Sequence, residues 1–188
     1  MSIAEDFAEH LAVSQAAAQT MVPLLERAAE ALGGCLRAGG KVLACGNGGS
    51  AADAQHFVAE LVGRYQRTRA PLAAIALSTD SSILTAVAND FGFEAIFARQ
   101  VAALARPGDV LVAISTSGNS PNVLAAAEAA TAAGCRVIAL TGGDGGRLAA
   151  LAELVVAVPS TVVARIQEMH ELALHALCRR IEIVLEVR

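Results

Sequence analysis

Aromatic side chains are nearly missing from this sequence. Its 188 residues include no Trp, one Tyr and five Phe. A basic surplus is missing as well. The formal net charge is −4, which argues against nucleic acid as a partner, because phosphate backbones are gripped by clustered Lys and Arg. No apolar run reaches the roughly 20 uncharged residues that a bilayer requires, so a membrane span is not expected. Met1 to Asp6 is acidic and has no signal-peptide core, and a cytoplasmic location is the expectation. The four cysteines (Cys35, Cys45, Cys135 and Cys178) show neither CxxC nor zinc-finger spacing. Three lie in or beside apolar segments, which predicts buried free thiols rather than disulfides. What fills the chain instead is Ala, Leu and Val. The apolar fraction is 55%, more than one small domain usually carries, so part of it is expected to be buried between subunits. The length predicts a single domain over 1–188, with 1–40 a helical segment that helps build an oligomer.

Apolar runs alternate with helical patterns along most of the chain. Residues 2–38 read as helix, divided near Pro23. Strands are predicted at Lys41–Cys45, Leu72–Leu77, Val110–Ile114, Arg136–Leu140 and Leu154–Val158. Helices are predicted after Ser50 to about Tyr65, from Asp80 to Ala88, from Phe93 to Ala105 and from Pro121 to Ala133. A short helix over Arg147–Leu151 and a long one from about Val162 complete the set. Unbroken apolar strands separated by helices imply a three-layer α/β sandwich with a five-stranded parallel sheet, both faces covered.

Two turns stand out. The first, Gly46-Asn47-Gly48-Gly49-Ser50-Ala51, lies between a strand and a helix. There, free backbone N–H groups and the helix dipole make an anion site. It also fits G-x-G-x-x-A, the dinucleotide fingerprint, with Asp80 after the second strand as a candidate ribose acid. The second, Ser115-Thr116-Ser117-Gly118-Asn119-Ser120, sets four hydroxyls before another helix. One cap needs one hydroxyl. Four, at the carboxyl edge of a parallel sheet, suit a phosphate monoester, and a dinucleotide site has no use for them. His56 and Glu60, four residues apart on one helical face, can hold a divalent metal or act as acid and base. The last helix adds the stretch Arg165-Ile166-Gln167-Glu168-Met169-His170-Glu171 and, further on, His175.

From Lys41 onward the chain resembles a sugar isomerase (SIS) domain and, within that group, the phosphoheptose isomerase family. The matching segments are Cys45 to His56, Leu84 to Asp90, Ala113 to Ser120 and Ala164 to His170. The resemblance implies that Asn47, Gly48, Gly49 and Ser50 line a sugar phosphate, with Asn89 and Asp90 nearby and Ser115, Thr116, Ser117 and Ser120 on the phosphate. It implies one zinc ion per subunit on His56, Glu60, Gln167 and His175. The residue matching Glu60 is the proton-transfer base, and the one matching His175 is its acid–base partner. It also implies a homotetramer. A related bacterial SIS protein that associates with the replication initiator shares several of these segments but lacks counterparts of Glu60 and His175. Those two residues therefore favour catalysis over a scaffold or a non-catalytic sugar-phosphate sensor.

The implied reaction interconverts sedoheptulose 7-phosphate and D-glycero-D-manno-heptose 7-phosphate through an enediol, in heptose synthesis for surface polysaccharide. No redox cofactor is required. Geometry raises one difficulty. Gln167 and His175 are eight residues apart, which is about 12 Å along a straight helix. A site shared between subunits is the expected solution, with part of the last helix coming from a neighbour.

Overall fold

Five apolar runs become five parallel strands in the computed structural model, which describes residues 2–186. They are β1 (Val42–Cys45), β2 (Ala74–Ala76), β3 (Val110–Ile114), β4 (Arg136–Gly142) and β5 (Leu154–Val158). The order across the sheet is β2-β1-β3-β4-β5, and every neighbouring pair is parallel. Helices α1 (Ile3–Thr20), α2 (Val22–Arg37), α3 (Gly49–Val62), α4 (Ser81–Phe91), α5 (Ala98–Leu104), α6 (Pro121–Ala132) and α7 (Val163–Glu186) flank it.

Strand residues divide alternately between two cores, as a pleat requires. Val42, Ala44, Val110, Val112 and Ile114 join one core with Phe57 of α3, Leu32 of α2 and Leu177 of α7. Leu43, Cys45, Leu111 and Ala113 join the other with Val101 of α5 and Val123 of α6. β1 and β3 are fully buried, which explains their unbroken apolar composition. Each fully buried Leu, Ile or Phe contributes about 1.5–3 kcal/mol relative to exposure. Small Ala side chains let the helices approach closely, and this takes the place of aromatic bulk. All four cysteines are buried and free, as expected, and burial pushes the Cys45 thiol up to about 12.

Several element boundaries differ from the expectation. β2 has three residues rather than six, because it is an edge strand that pairs only with β1. The chain breaks between α1 and α2 at Met21, and Pro23 falls in the first turn of α2, where a missing N–H costs nothing. α3 stops at Val62 instead of reaching Tyr65. α4 continues past Ala88, so Asn89 and Asp90 are helical, and the segment 93–105 divides into a 3₁₀ turn (Phe93–Ala95) and α5. The short helix near Arg147 is a 3₁₀ turn, Gly146–Ala150.

One buried ion pair fastens the lower edge of the sheet. Asp109, 2% exposed, accepts from Lys41 Nζ at 2.5 Å, Lys41 N at 2.9 Å and Arg106 N at 2.8 Å. Burial alone would raise its pKa, but the bonds from Lys41 and Arg106 outweigh that and hold it below the ordinary 3.8. The unfolded carboxyl therefore takes up a proton first. The stabilisation is complete above the ordinary carboxylate range and is lost as pH falls through the folded value. Asp109→Ala is expected to cost about 3 kcal/mol at neutral pH, because it leaves Lys41 and two amides without their acceptor. Urea melts at pH 7 and pH 3 check this: the gap between variant and parent should shrink at the lower pH.

Candidate active site

The strand order 2-1-3-4-5 reverses direction between β1 and β3. In open α/β sheets the ligand crevice lies at that point, beyond the carboxyl ends of the strands. The turn after β1 holds Asn47, Gly48, Gly49 and Ser50. The turn after β3 holds Ser115, Thr116, Ser117 and Ser120. The two predicted anion turns are thus neighbours at the switch point.

Two side-chain amides bind these turns together. Asn47 donates to Asn122 at 2.8 Å, and Asn122 donates back to Asn47 at 2.8 Å. Asn122 is 1% exposed at the start of α6, and the sequence reading missed it. The hydroxyl turn is tightly formed. Ser115 and Ser120 Oγ lie 3.0 Å apart, and Ser117 Oγ accepts from Asn119 N at 3.1 Å. Ser120 stands at the N-cap of α6 without using its side chain as a cap. Among the described residues, the N–H groups of Thr116, Ser117 and Ser120 donate to no protein group. Gly118 has φ +63°, and a Cβ there would come within 2.0 Å of Gly145 O, so only glycine closes this turn.

From the glycine turn the site continues along the face shared by α3 and α7. A Cβ on Gly49 would lie 1.9 Å from Gln167 Nε2, so the absent side chain is what admits Gln167. Gln167 also lies beside Asp53, a residue 6% exposed whose Oδ2 has no partner. Burial and then the Glu171 charge push the Asp53 carboxyl up to about 6, against the lowering effects of Gln167 and His56.

One turn further along α7 is Glu171, and another turn on is His175. His56 Nε2 is 3.1 Å from His175 Nε2 and 3.4 Å from Glu60 Oε1. Glu171 Oε1 is 3.3 Å from His175 Nε2 and 3.5 Å from His56 Nδ1. His56, Glu171 and His175 each offer a donor atom within 4.8 Å of the others. A tetrahedral zinc with bonds of about 2.0–2.1 Å separates its ligand atoms by roughly 3.3 Å, so these side chains fit such an ion. The Tyr65 ring stacks on His175 with 5.6 Å between centroids and 21° between planes.

His56, Glu60 and His175 therefore meet within one chain, and His175 needs no neighbour to reach His56. Gln167 stands beside Gly49 and Asp53, two turns from His175. Glu171 and Asp53 lie within stretches that the sequence singles out, but neither was given a role there. Both were available to periodicity: Glu171 is four residues from Gln167 and from His175, and Asp53 is three residues before His56. Asn89 and Asp90 are exposed on α4, bonded to each other at 2.7 Å and to none of the other candidates. Asp80 caps α4 by accepting from Ile83 N at 2.9 Å, which removes the acid a dinucleotide site would use. His170 is fully buried, with Nε2 2.9 Å from Thr141 O, and burial lowers its pKa to about 4, so it is a core residue outside the site.

A parallel sheet with a hydroxyl-rich turn at its switch point and an imidazole–carboxylate cluster beside it defines a sugar-phosphate class of α/β protein. The SIS domain family profile matches residues 7–142, and the chain belongs to that family. The phosphoheptose isomerase of Shewanella denitrificans is 51% identical over 96% of this chain and 93% of its own. The solved phosphoheptose isomerase from Neisseria gonorrhoeae superposes with a TM-score of 0.92 at 51% identity, covering 96% of this chain and 97% of that one. The counterpart from Francisella tularensis gives 0.94 at 44% identity, with 96% of each chain covered. Within the SIS group, the chain belongs to the phosphoheptose isomerases.

Proposed function

We propose that the protein converts sedoheptulose 7-phosphate to D-glycero-D-manno-heptose 7-phosphate, an aldose–ketose isomerisation through an enediol. The observation that carries this reading is the meeting of His56, Glu60 and His175 beside a preformed phosphate cradle. Backbone N–H groups and hydroxyls of Ser115, Thr116, Ser117 and Ser120 hold the phosphate, and Asn47, Gly48, Gly49 and Ser50 line the sugar. These contacts are remote from the reacting carbons and orient them. Glu60 removes the proton from one carbon and returns it to the next. His175 exchanges a proton with the neighbouring oxygen. His56, Glu60, Gln167 and His175 are the residues that family resemblance assigns to one zinc per subunit. The chemistry zinc supplies when bound is charge stabilisation at the sugar oxygens.

The wider setting is part of the same proposal. The enzyme works in the cytoplasm, in heptose synthesis for lipopolysaccharide. The chain forms one SIS domain, 1–188, in which 1–40 serves oligomerisation, and it assembles as a homotetramer with sites shared between subunits. Exposed Ile3, Phe7 and Leu11 on α1, and Phe91 and Phe93 beside Asn89 and Asp90, support an apolar surface covered by another copy. Among the described residues no helix is long and apolar enough to cross a membrane.

The test is incubation of the purified protein with sedoheptulose 7-phosphate in D₂O, followed by NMR with and without added zinc. Aldose carrying deuterium at the transferred position is the expected product. A folded protein that binds the sugar phosphate yet yields no aldose under either condition points to a sensor or an initiator-binding scaffold.

A further inference from the structure

The imidazole of His175 meets polar groups at one atom. Its Nε2 lies 3.1 Å from His56 Nε2 and 3.3 Å from Glu171 Oε1, and among the described residues its Nδ1 has no hydrogen-bond partner. The rotamer does not settle the ring plane, because the torsion that joins Cβ to a flat ring is broad. Contacts at a single nitrogen fix the tip of the ring and leave its tilt free. What meets the ring elsewhere is aromatic. His56 presents an edge, with centroids 5.0 Å apart and 75° between planes. Tyr65 lies against the face, 5.6 Å away at 21°, within the roughly 4.5–7 Å at which offset rings attract. Tyr65 is the single Tyr of the sequence, and it is anchored. Its amide donates to Glu182 Oε1 at 3.2 Å, and the next two amides donate to Glu182 Oε2. Its half-buried ring packs on the core that α2, α3 and α7 share. Among the described residues its hydroxyl makes no hydrogen bond, so the face of the ring is the part in use.

We propose that Tyr65 is a positioning residue for His175: a platform, fixed from behind by Glu182, that sets the plane of the imidazole beside His56. The proposal rests on the reading of His175 as the acid–base partner given above. A proton passes to oxygen along a near-linear hydrogen bond, and the N–H and lone pair of an imidazole lie in the plane of its ring. A ring free to tilt therefore spends part of its time aimed elsewhere, and a misplacement of about 1 Å is enough to cost about 10²-fold in rate. Phosphate capture belongs to the turn after β3. Tyr65 should accordingly govern kcat and leave KM alone.

Two measurements on the full-length protein test this, and one of them needs no turnover. The first follows the Hε1 resonances of isotopically labelled histidine in chelator-treated protein. The chain has four histidines, and His175→Gln identifies the signal of interest. An aromatic ring on the imidazole face moves that signal upfield. Tyr65→Phe should leave it in place, and Tyr65→Leu should move it downfield toward an unstacked histidine. The second measurement is steady-state kinetics with sedoheptulose 7-phosphate at saturating added zinc, so that metal affinity is not what is read. Tyr65→Leu should lower kcat by about 10–100-fold with KM near the parent, and Tyr65→Phe should keep most of the rate. Urea melts show whether each variant is folded. Tyr65→Met, whose flexible apolar side chain refills the space, takes the place of the Leu variant if that one is unfolded. An unmoved resonance or an unchanged kcat in the apolar variant, a loss confined to KM, or an equal loss in Tyr65→Phe overturns the proposal and leaves the isomerase reading standing. A folded parent that yields no aldose overturns that reading, and the resonance then decides alone whether Tyr65 sets the ring.

Discussion

Glu60→Gln will fold, bind the sugar phosphate as the parent does, and turn over about 10²–10⁴-fold more slowly, the range a positioned general base contributes. Glutamine keeps the shape of the side chain and its reach toward His56, 3.4 Å away. What it loses is the ability to accept a proton from carbon. The backbone is unaffected: Glu60 O accepts from Arg69 Nη2 at 2.8 Å, and that bond does not depend on the side chain. Initial rates with sedoheptulose 7-phosphate, together with binding measured by calorimetry, separate the two effects. A variant that retains more than a tenth of the parent rate would remove Glu60 from the base role.

The second large effect lies outside the crevice. Glu182 is 4% exposed on α7 and acts as a buried clasp. Its Oε1 accepts from Tyr65 N and Arg69 Nε, both at 3.2 Å, and its Oε2 accepts from Gln66 N at 3.3 Å and Arg67 N at 3.2 Å. Arg69 in turn donates to the carbonyls of Glu60 and Leu61, which closes the C-terminal end of α3. Glu182→Ala is expected to cost about 3–5 kcal/mol, because the Arg69 charge and three amides lose their acceptor together. The loss reaches the site as well. Tyr65, freed from the clasp, no longer stacks on His175, and the helix end that carries Glu60 loosens. Urea unfolding should show the lowered midpoint, and kcat should fall more than the loss of folded protein accounts for. Glu182→Gln, which keeps the shape and one acceptor oxygen but loses the other acceptor and the charge, should fall between the parent and Glu182→Ala in both measurements.

These two glutamates mark where sequence reading succeeds and where it stops. Glu60 is legible because a helix spaces it four residues from His56 within a single element. The sheet is legible for a similar local reason: a strand buried on both faces must be apolar throughout, as β1 and β3 are. Glu182 looks like a surface charge in a helical run. Its role depends on a loop 115 to 117 residues away, and a contact across that distance leaves no local pattern. The early end of α3 has the same origin, since the amides of Tyr65 to Arg67 turn to Glu182 instead of continuing the helix. Asn122 was hidden because its partner, Asn47, is on another turn. The spacing of Gln167 and His175 was legible, and it led to a site shared between subunits, whereas the approach of His175 to His56 across α3 and α7 depends on packing that no local pattern shows.

The paired amides of Asn47 and Asn122 carry a consequence for how the crevice behaves in solution. Neither group titrates, and neither attracts counterions. The seam between the two turns therefore keeps its strength in acid, in base and in concentrated salt, and the shape of the phosphate cradle is held by groups that do not respond to the medium.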